Sequence, residues 1–379
     1  MKIYLDYNAT TPIDKEVVQA MQPYLTDYFG NPSSSHSFGI ETKNAVENAR
    51  KQVAALLNCK PNEIIFTSGG TESNNYAIKG FAFANAQKGN HIITSTIEHP
   101  AVTVVCKYLA TKGFEISYIP VNEFGVIDLK KLEAAITPKT ILITVMQANN
   151  EIGTIQPITE IAAIAKKHNI AFHTDAAQSI GKYSTNVQQL GVDLLSIAGH
   201  KLYAPKGIGA LYIRDGVVLE KLIHGADHEQ NKRAGTENVL EIVGLGKACE
   251  IAQRDLNKNL SHLKSMRDLL HINLLEKLPD IKLNGHSELR LPNTLNISFP
   301  GIEANVLLNE IELDGIAASA GAACHTGTVK VSAVLSAISL HTKYAMGTIR
   351  FSVGKYTTEA EINKASEIII EAVKKLKID

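Results

Sequence analysis

Between about residues 60 and 215, short runs of β-branched and apolar residues alternate with stretches whose apolar positions recur at helical spacing. Glu63-Ile-Ile-Phe-Thr67, His91-Ile-Ile-Thr-Ser95, Ile141-Leu-Ile-Thr-Val145, Ala171-Phe-His-Thr174 and Leu194-Leu-Ser-Ile197 lack the strict alternation of a strand with one wet face. They read as strands buried on both sides. Between them lie helices such as Ile158 to His168, with Ile158, Ile161, Ala162 and Ala165 on one stripe. Strand–helix alternation of this kind predicts a mainly parallel sheet with helices on both faces.

The pattern changes after residue 254. A polar helix is predicted from Asp255 to Leu278, then strand-like Thr294-Leu-Asn-Ile-Ser298, a helix near Ala304 to Glu312, and strand-like Gly347-Thr-Ile-Arg-Phe-Ser352. The last helix opens on a capping box, Thr358 with Glu361, and carries Ile362, Ala365, Ile369, Val373 and Leu376 on one stripe. At 379 residues the chain exceeds what one hydrophobic core usually supports. We therefore expect a large α/β domain over 15–254, and a smaller α+β domain built from 1–14 and 255–379. There are no internal repeats and no low-complexity linker.

Charge and cysteine content narrow the function classes. Thirty-eight basic residues balance thirty-eight acidic ones, so no global field recruits nucleic acid or an anionic membrane. A small-molecule substrate is expected. The opening Met-Lys-Ile-Tyr-Leu-Asp-Tyr has no signal-peptide apolar run, and no stretch is apolar enough to span a bilayer. Cys59, Cys106, Cys249 and Cys324 show no Cys-x-x-Cys pairing, which argues against a disulfide framework or a zinc site. The cytoplasm is the expected compartment.

Candidate chemistry concentrates at strand ends. Lys201, in Gly199-His-Lys201, follows one predicted strand, and Asp175 closes the one before it, 26 residues earlier. A lysine that can form a Schiff base and a carboxylate that can hold a pyridine nitrogen protonated are what a pyridoxal 5′-phosphate (PLP) site needs. Thr67-Ser-Gly-Gly-Thr-Glu-Ser73 joins a strand to a helix, where free N–H groups and a hydroxyl can cradle phosphate; an ordinary glycine turn is the plainer reading. His99 sits past a strand end before Pro100. It is either structural or an imidazole able to lie on a pyridine face and shuttle protons. Asn149 and Asn150 can cap a turn or donate to a ring oxygen, as can Gln178, while His200 can contact phosphate.

Three further sites carry weight. Arg233-Ala-Gly-Thr-Glu-Asn238 is a polar cluster, readable as a surface loop with Thr236 as a helix cap. Arg350 interrupts an apolar strand. It is either a solvated edge residue or the fork that holds an α-carboxylate. Cys324 lies in Ala317-Ala-Ser-Ala-Gly-Ala-Ala-Cys-His-Thr-Gly-Thr328, small residues with neither helical nor strand period, and reads as a nucleophile that must travel. A free thiol with a pKa near about 8.5 is mostly protonated at neutral pH, so a neighbour must activate it. Cys59, Cys106 and Cys249 read as packing residues.

These segments, with Tyr4-Leu-Asp-Tyr-Asn-Ala-Thr-Thr-Pro12, Gly30-Asn-Pro-Ser-Ser34 and Arg350-Phe-Ser-Val-Gly-Lys-Tyr-Thr-Thr358, together resemble the first subgroup of the cysteine desulfurases, fold-type I PLP enzymes. The resemblance implies an aspartate-aminotransferase-like fold with a mainly parallel seven-stranded sheet. It implies that Lys201 is the Schiff-base lysine, Asp175 the pyridinium partner and His99 the ring-stacking acid/base. Gln178 and Asn150 would address the ring oxygen and its surroundings. Gly70, Thr71 and His200 would hold phosphate, and Ala198 would lie beside it. Thr236 would reach the neighbouring subunit's phosphate, which implies a homodimer with shared sites. Arg350 would take the substrate carboxylate. Cys324 would accept sulfur from L-cysteine and pass it to an acceptor or scaffold protein for iron–sulfur or thiolation pathways; whether it also ligates a transient iron–sulfur cluster stays open.

The chain departs from that pattern at three places. Ala198 replaces the usual Ser or Thr, His224-Gly-Ala-Asp-His-Glu229 replaces a glycine-rich segment, and Gly321-Ala-Ala-Cys-His325 replaces Gly-Ser-Ala-Cys. Ala198 and Gly321-Ala-Ala-Cys-His325 look more like selenocysteine lyases, which would act on L-selenocysteine. A catalytically silent sulfur-relay scaffold is the remaining alternative.

Overall fold

A computed structural model describes residues 2–320, 324–325, 328–329 and 331–378, and for 324, 325, 328, 329 and 378 the backbone only. After a short β1 (Ile3–Tyr4), seven strands form the main sheet: β2 (Ile64–Thr67), β3 (His91–Ser95), β4 (Glu115–Ile119), β5 (Thr140–Thr144), β6 (Ala171–Asp175), β7 (Leu194–Ala198) and β8 (Gly209–Ile213). Their order across the sheet is β2-β8-β7-β6-β5-β3-β4. The ladders from β4 through β7 are parallel, whereas β8 runs antiparallel to both β7 and β2. Two reversals in succession make β2 parallel to β7, so β2 also ends at the edge where β3, β5, β6 and β7 end.

The five strand runs expected from sequence are present within a residue of their predicted bounds, and β2, β3, β5 and β7 are buried throughout. β4 lies at the sheet edge and is half exposed, which is why its mixed pattern gave no strand signal. One apolar cluster covers one face, with Val46 and Val53 from the helix Ser37–Leu57, Ile161 and Ala165 from Ile158–Lys167, and Leu245 and Cys249 from Val239–Lys277. The other face packs under Tyr76, Ile78, Val102 and Leu109.

The helix predicted from Asp255 begins much earlier and runs unbroken from Val239 to Lys277, capped by Asn238. Its first half is recruited by packing. A Cβ on Gly246 would meet Ala49 Cα at 2.6 Å, so glycine lets this helix lie close against Ser37–Leu57. Its second half, through Leu263, Leu270 and Leu274, joins a separate core with Leu307, Ile311, Ile362 and Ile369.

That second core backs a four-stranded sheet in the order β12-β15-β10-β9, made of β9 (Lys282–Leu283), β10 (Thr294–Ser298), β12 (Ser319–Ala320) and β15 (Thr348–Ser352). β11 (Ile316–Ala317) pairs in parallel with β1, and β13 (Cys324–His325) pairs with β14 (Thr328–Val329). The small-residue run therefore contains short strands, held by backbone pairing where side-chain periodicity is silent. The final helix, Glu359–Ile378, forms the predicted box: Glu361 accepts from the Thr358 N–H at 2.7 Å and Thr358 Oγ1 accepts from the Glu361 N–H at 3.2 Å. Among the described residues no helix is long and apolar enough to cross a membrane.

The segment leading into the Arg233 cluster is pinned from inside. Glu229, Gln230 and Asn231 all have positive φ (47°, 57° and 61°), a conformation that non-glycine residues adopt at a cost. Arg50 holds the carboxylate of Glu229 bidentately at 2.8 Å, and the Phe66 N–H adds a third donor. Both side chains are 3% exposed. Removing one partner leaves a buried unpaired charge, so Glu229→Ala should lower unfolding stability by about 3–5 kcal/mol in urea titration; a loss under about 1 kcal/mol would contradict this role.

Candidate active site

The common carboxyl edge of the parallel strands is where open α/β sheets leave room for ligands. Asp175 is the last residue of β6 and Ala198 the last of β7. His99 lies just past β3, and Gly70 opens the helix Gly70–Asn75 just past β2. A cavity of 190 Å³ opens there, lined by Lys201, Asp175, His99, Gln178 and Asn150. Gly70, Thr71, Ala198 and His200 line it as well. Residues separated by more than a hundred positions in the chain thus meet in one hollow.

Each group is held by specific neighbours. Asp175, 6% exposed, accepts from Asn74 Nδ2 at 2.7 Å and from the Ala177 N–H at 2.9 Å. His99 caps the helix Pro100–Ala110 by accepting the Ala101 N–H on Nδ1 at 3.1 Å. That bond places the ring proton of the neutral form on Nε2. Burial keeps His99 below its usual pKa despite the opposing pull of Asp175, so the ring is neutral at pH 7. His200 shares a hydrogen bond with Thr10 Oγ1 at 3.2 Å, and burial together with Lys201 and two further lysines drives it down to about 4.

Lys201 donates from Nζ to the carbonyl oxygen of Asn8, which also accepts from Gln178 Nε2 at 3.0 Å. Burial, reinforced by Arg350, pulls the ammonium down to about 8, against the opposing influence of Asp175 and Asp6. A larger share of this amine is therefore free near neutral pH than for a solvent-exposed lysine.

Of the adjacent amides, Asn149 takes the capping role: its Oδ1 accepts from the Glu151 and Ile152 N–H groups at 2.9 and 3.0 Å. Asn150 is left to line the cavity. Arg350 is not a solvated edge residue, because β15 is an inner strand and Arg350 is 9% exposed. Its Nη1 donates to the Asn150 carbonyl at 3.0 Å and its Nη2 to Asp6 at 2.6 Å, while Nε is buried without a partner. Arg350 does not line the cavity itself but reaches it through Asn150.

Two predicted residues are not brought there. Thr236 is exposed, in the loop that Arg233 ties to Glu72 at 2.9 Å. A second, more open hollow of 410 Å³, lined by Ser68, Lys206 and Gly207, shares Gly70, Thr71 and His200 with the first. The backbone of Cys324 pairs with Val329; its side chain lies outside the described residues, as do Gly321, Ala322 and Ala323 of its loop. Burial pushes Cys59 and Cys106 up to about 12 and raises Cys249 as well, so these three stay protonated and serve packing. Among the described residues no three His, Cys, Asp or Glu side chains gather as a metal site.

Sequence reasoning missed Asn8, Asn74, Asp6 and Lys182. Asn8 and Asp6 belong to the polar run at the chain start, whose only signal was its length without apolar periodicity. The residues present fit PLP: a buried carboxylate held by two donors, a lysine amine of lowered pKa, an imidazole between them in charge balance, and a helix start at Gly70 where a Cβ would come within 3.1 Å of Ala198.

Known proteins agree with this geometry. The family model for class-V aminotransferases matches residues 3–364. The chain is 50% identical over 376 residues to the cysteine desulfurase IscS of Dictyoglomus turgidum, covering 99% of this chain and 95% of that one. A solved NifS-like protein superposes with a TM-score of 0.93 at 39% identity, covering 99% of this chain and all of that one. SspA in complex with cysteine superposes with a TM-score of 0.83 at 37% identity, over 94% of this chain and all of that one.

The lowered proton affinity of Lys201 is measurable in protein free of cofactor. Labelling of Lys201 by an amine-selective reagent, followed by peptide mass spectrometry across pH, should rise with pH to a midpoint near 8. A midpoint at the ordinary 10.5 would contradict the burial argument.

Proposed function

The chain belongs to the aminotransferase class-V family, and from that premise we propose how its residues divide the work of a cysteine desulfurase. The protein is a PLP-dependent sulfurtransferase that takes sulfur from L-cysteine and releases L-alanine, as befits relatives of that name at about half identity over the whole chain. The observation that carries the assignment of roles is the convergence of Lys201, Asp175, His99 and Gln178 on one cavity. A silent scaffold would have no need to keep a depressed lysine beside a buried, doubly bonded carboxylate.

When bound, PLP supplies a ring that accepts electrons from bonds at the substrate Cα and Cβ. Lys201 holds the cofactor aldehyde through Nζ. After the substrate amine displaces it, Nζ carries the Cα proton, a task suited to an amine titrating near 8. Asp175, oriented by Asn74 and the Ala177 N–H, keeps a proton on the pyridine nitrogen. His99 covers the ring, with its own proton on Nε2. Gln178 and Asn150 serve the ring oxygen and its surroundings, and Gly70, Thr71 and His200 hold phosphate. Arg350 binds the substrate carboxylate with the N–H groups that Asp6 and Asn150 leave free. The Cys324 thiolate attacks the substrate sulfur. As the sulfur–sulfur bond forms, the Cβ–S bond breaks, leaving a persulfide on Cys324 and the carbon skeleton to leave as L-alanine.

The hollow beside Gly70, Thr71 and His200 supports a two-fold dimer in which Thr236 of one copy completes the phosphate site of the other. Residues 15–254 and the pair 1–14 with 255–379 are the two domains, and the long helix Val239–Lys277 passes from one core to the other. The persulfide goes to an acceptor or scaffold protein, in a reducing cytoplasm that keeps the thiols free. Cys324 is also the candidate ligand for a transient iron–sulfur cluster at that hand-over.

The selenocysteine lyase reading rests on Ala198 and on the Ala-Ala-Cys-His sequence at 322–325. A comparison of kcat/KM for L-cysteine and L-selenocysteine separates the two. Efficient alanine release from cysteine is expected; negligible persulfide from cysteine beside fast selenocysteine turnover would overturn the desulfurase reading. Lys201→Ala should cut turnover on the order of 10²–10⁴-fold, the range for loss of a proton-transfer group. Cys324→Ala should still bind PLP but form no persulfide, and full alanine production by that variant would contradict the transfer.

A further inference from the structure

Lys182 is a second buried lysine beside the cavity, and no step of the sulfur transfer uses it. It sits on the turn after Asp175, where the N–H groups of Ile180 and Lys182 bond to the carbonyls of Ala176 and Ser179, each at 2.9 Å. Gly181 makes the turn possible. Its φ is +69°, and a Cβ there would come within 2.2 Å of Leu202 Cδ1, on the residue following Lys201. The turn therefore packs against the lysine segment, with Gln178 and Lys182 four residues apart.

The contacts form a chain. Lys182, 6% exposed, donates from Nζ to Gln178 Oε1 at 3.3 Å, its one hydrogen bond found among the described residues. Gln178 Nε2 donates at 3.0 Å to the Asn8 carbonyl, the same oxygen that receives Lys201 Nζ. A side-chain amide has one acceptor end and one donor end. With Oε1 engaged by Lys182, the donor end is turned toward Asn8 and Lys201, and its second N–H is left over for a ligand in the cavity that Gln178 lines. Without Lys182 the amide could flip and present an acceptor instead.

Keeping a lysine in this place is costly. Burial, with Lys201 and Arg350 as like charges, pushes it down to about 7. A methionine or leucine of similar volume would avoid that cost. A lysine amine carries N–H groups whether or not it is charged, so the contact to Oε1 persists across the neutral range.

We infer that Lys182 is a positioning residue that fixes Gln178 as a hydrogen-bond donor to the ring oxygen of the bound cofactor and so stabilises that oxygen as an anion. This rests on the PLP reading above and on the assignment of Gln178 to the ring oxygen. An oxygen satisfied by Gln178 competes less for the proton on the Lys201-derived nitrogen, which gives that proton up at lower pH. Lys201 also faces Arg350, Asp175 and Asp6, and His200 lies within reach of Lys182; these remain unchanged in the variants below.

The test is a pH titration of the visible absorption band in PLP-loaded protein. Lys182→Met should move the midpoint up by about one pH unit, a tenfold change in proton affinity. Gln178→Ala should move it by a similar amount, and Lys182→Met added to Gln178→Ala should move it no further. Lys182→Gln, which keeps an N–H donor, should stay nearer the wild-type midpoint. An unchanged midpoint in either single variant, or a full extra shift in the double variant, would overturn the inference. A purely structural lysine would lower thermal stability and leave the midpoint where it was. Wild-type protein that develops no visible band with PLP would instead overturn the cofactor reading, and this inference with it.

Discussion

One buried asparagine near the start of the chain joins everything that the site needs. Asn8 is 1% exposed. Its carbonyl receives Lys201 and Gln178, and its Nδ2 donates to the Asn150 carbonyl at 3.2 Å and to Thr294 Oγ1 at 2.8 Å. Its Oδ1 accepts from Asn293 at 2.9 Å, and its N–H bonds Ser352 Oγ at 2.9 Å. Thr294 and Ser352 belong to the four-stranded sheet, whereas Lys201 and Gln178 follow strands of the seven-stranded one. One residue thus ties the covalent lysine to the sheet that carries Arg350. Because every one of these partners is buried, each lost contact strands a polar group away from water, and the arrangement holds as a unit.

The same constraint explains the electrostatics. Lys201, Lys182 and Arg350 crowd one side of the cavity, and Asp175 and Asp6 answer them. The like charges depress the lysines without neutralising Arg350, which keeps two N–H groups tied to Asp6 and Asn150. An anionic substrate meets a preformed guanidinium, and the amine that must lose its proton is already weakened as a base. Function therefore depends on burial more than on any one contact, since in water the same groups would titrate at their ordinary values.

Much of this was legible in the sequence, and the exceptions have physical causes. Strands buried on both faces announce themselves as apolar runs, so β2, β3, β5, β6 and β7 were visible; the half-exposed edge strand β4 was not. Lys201, Asp175 and His99 stood out because titratable residues at strand ends have few structural uses. Asn74 looked like any polar residue inside a helix, although it holds Asp175 across 101 positions of chain. Asp6 reaches Arg350 across 344. Local spacing carries no trace of such pairs. The length of the helix Val239–Lys277 was hidden for a related reason: its first half is stabilised by packing on Ser37–Leu57, not by its own periodicity.

The central claim is that Lys201, and not the neighbouring buried Lys182, carries the cofactor. Borohydride reduction of PLP-loaded protein, followed by proteolysis and mass spectrometry, reads the attachment point directly. The account predicts a single pyridoxyl adduct on the peptide containing Lys201. An adduct on Lys182, or none at all in protein that retains PLP, would contradict it.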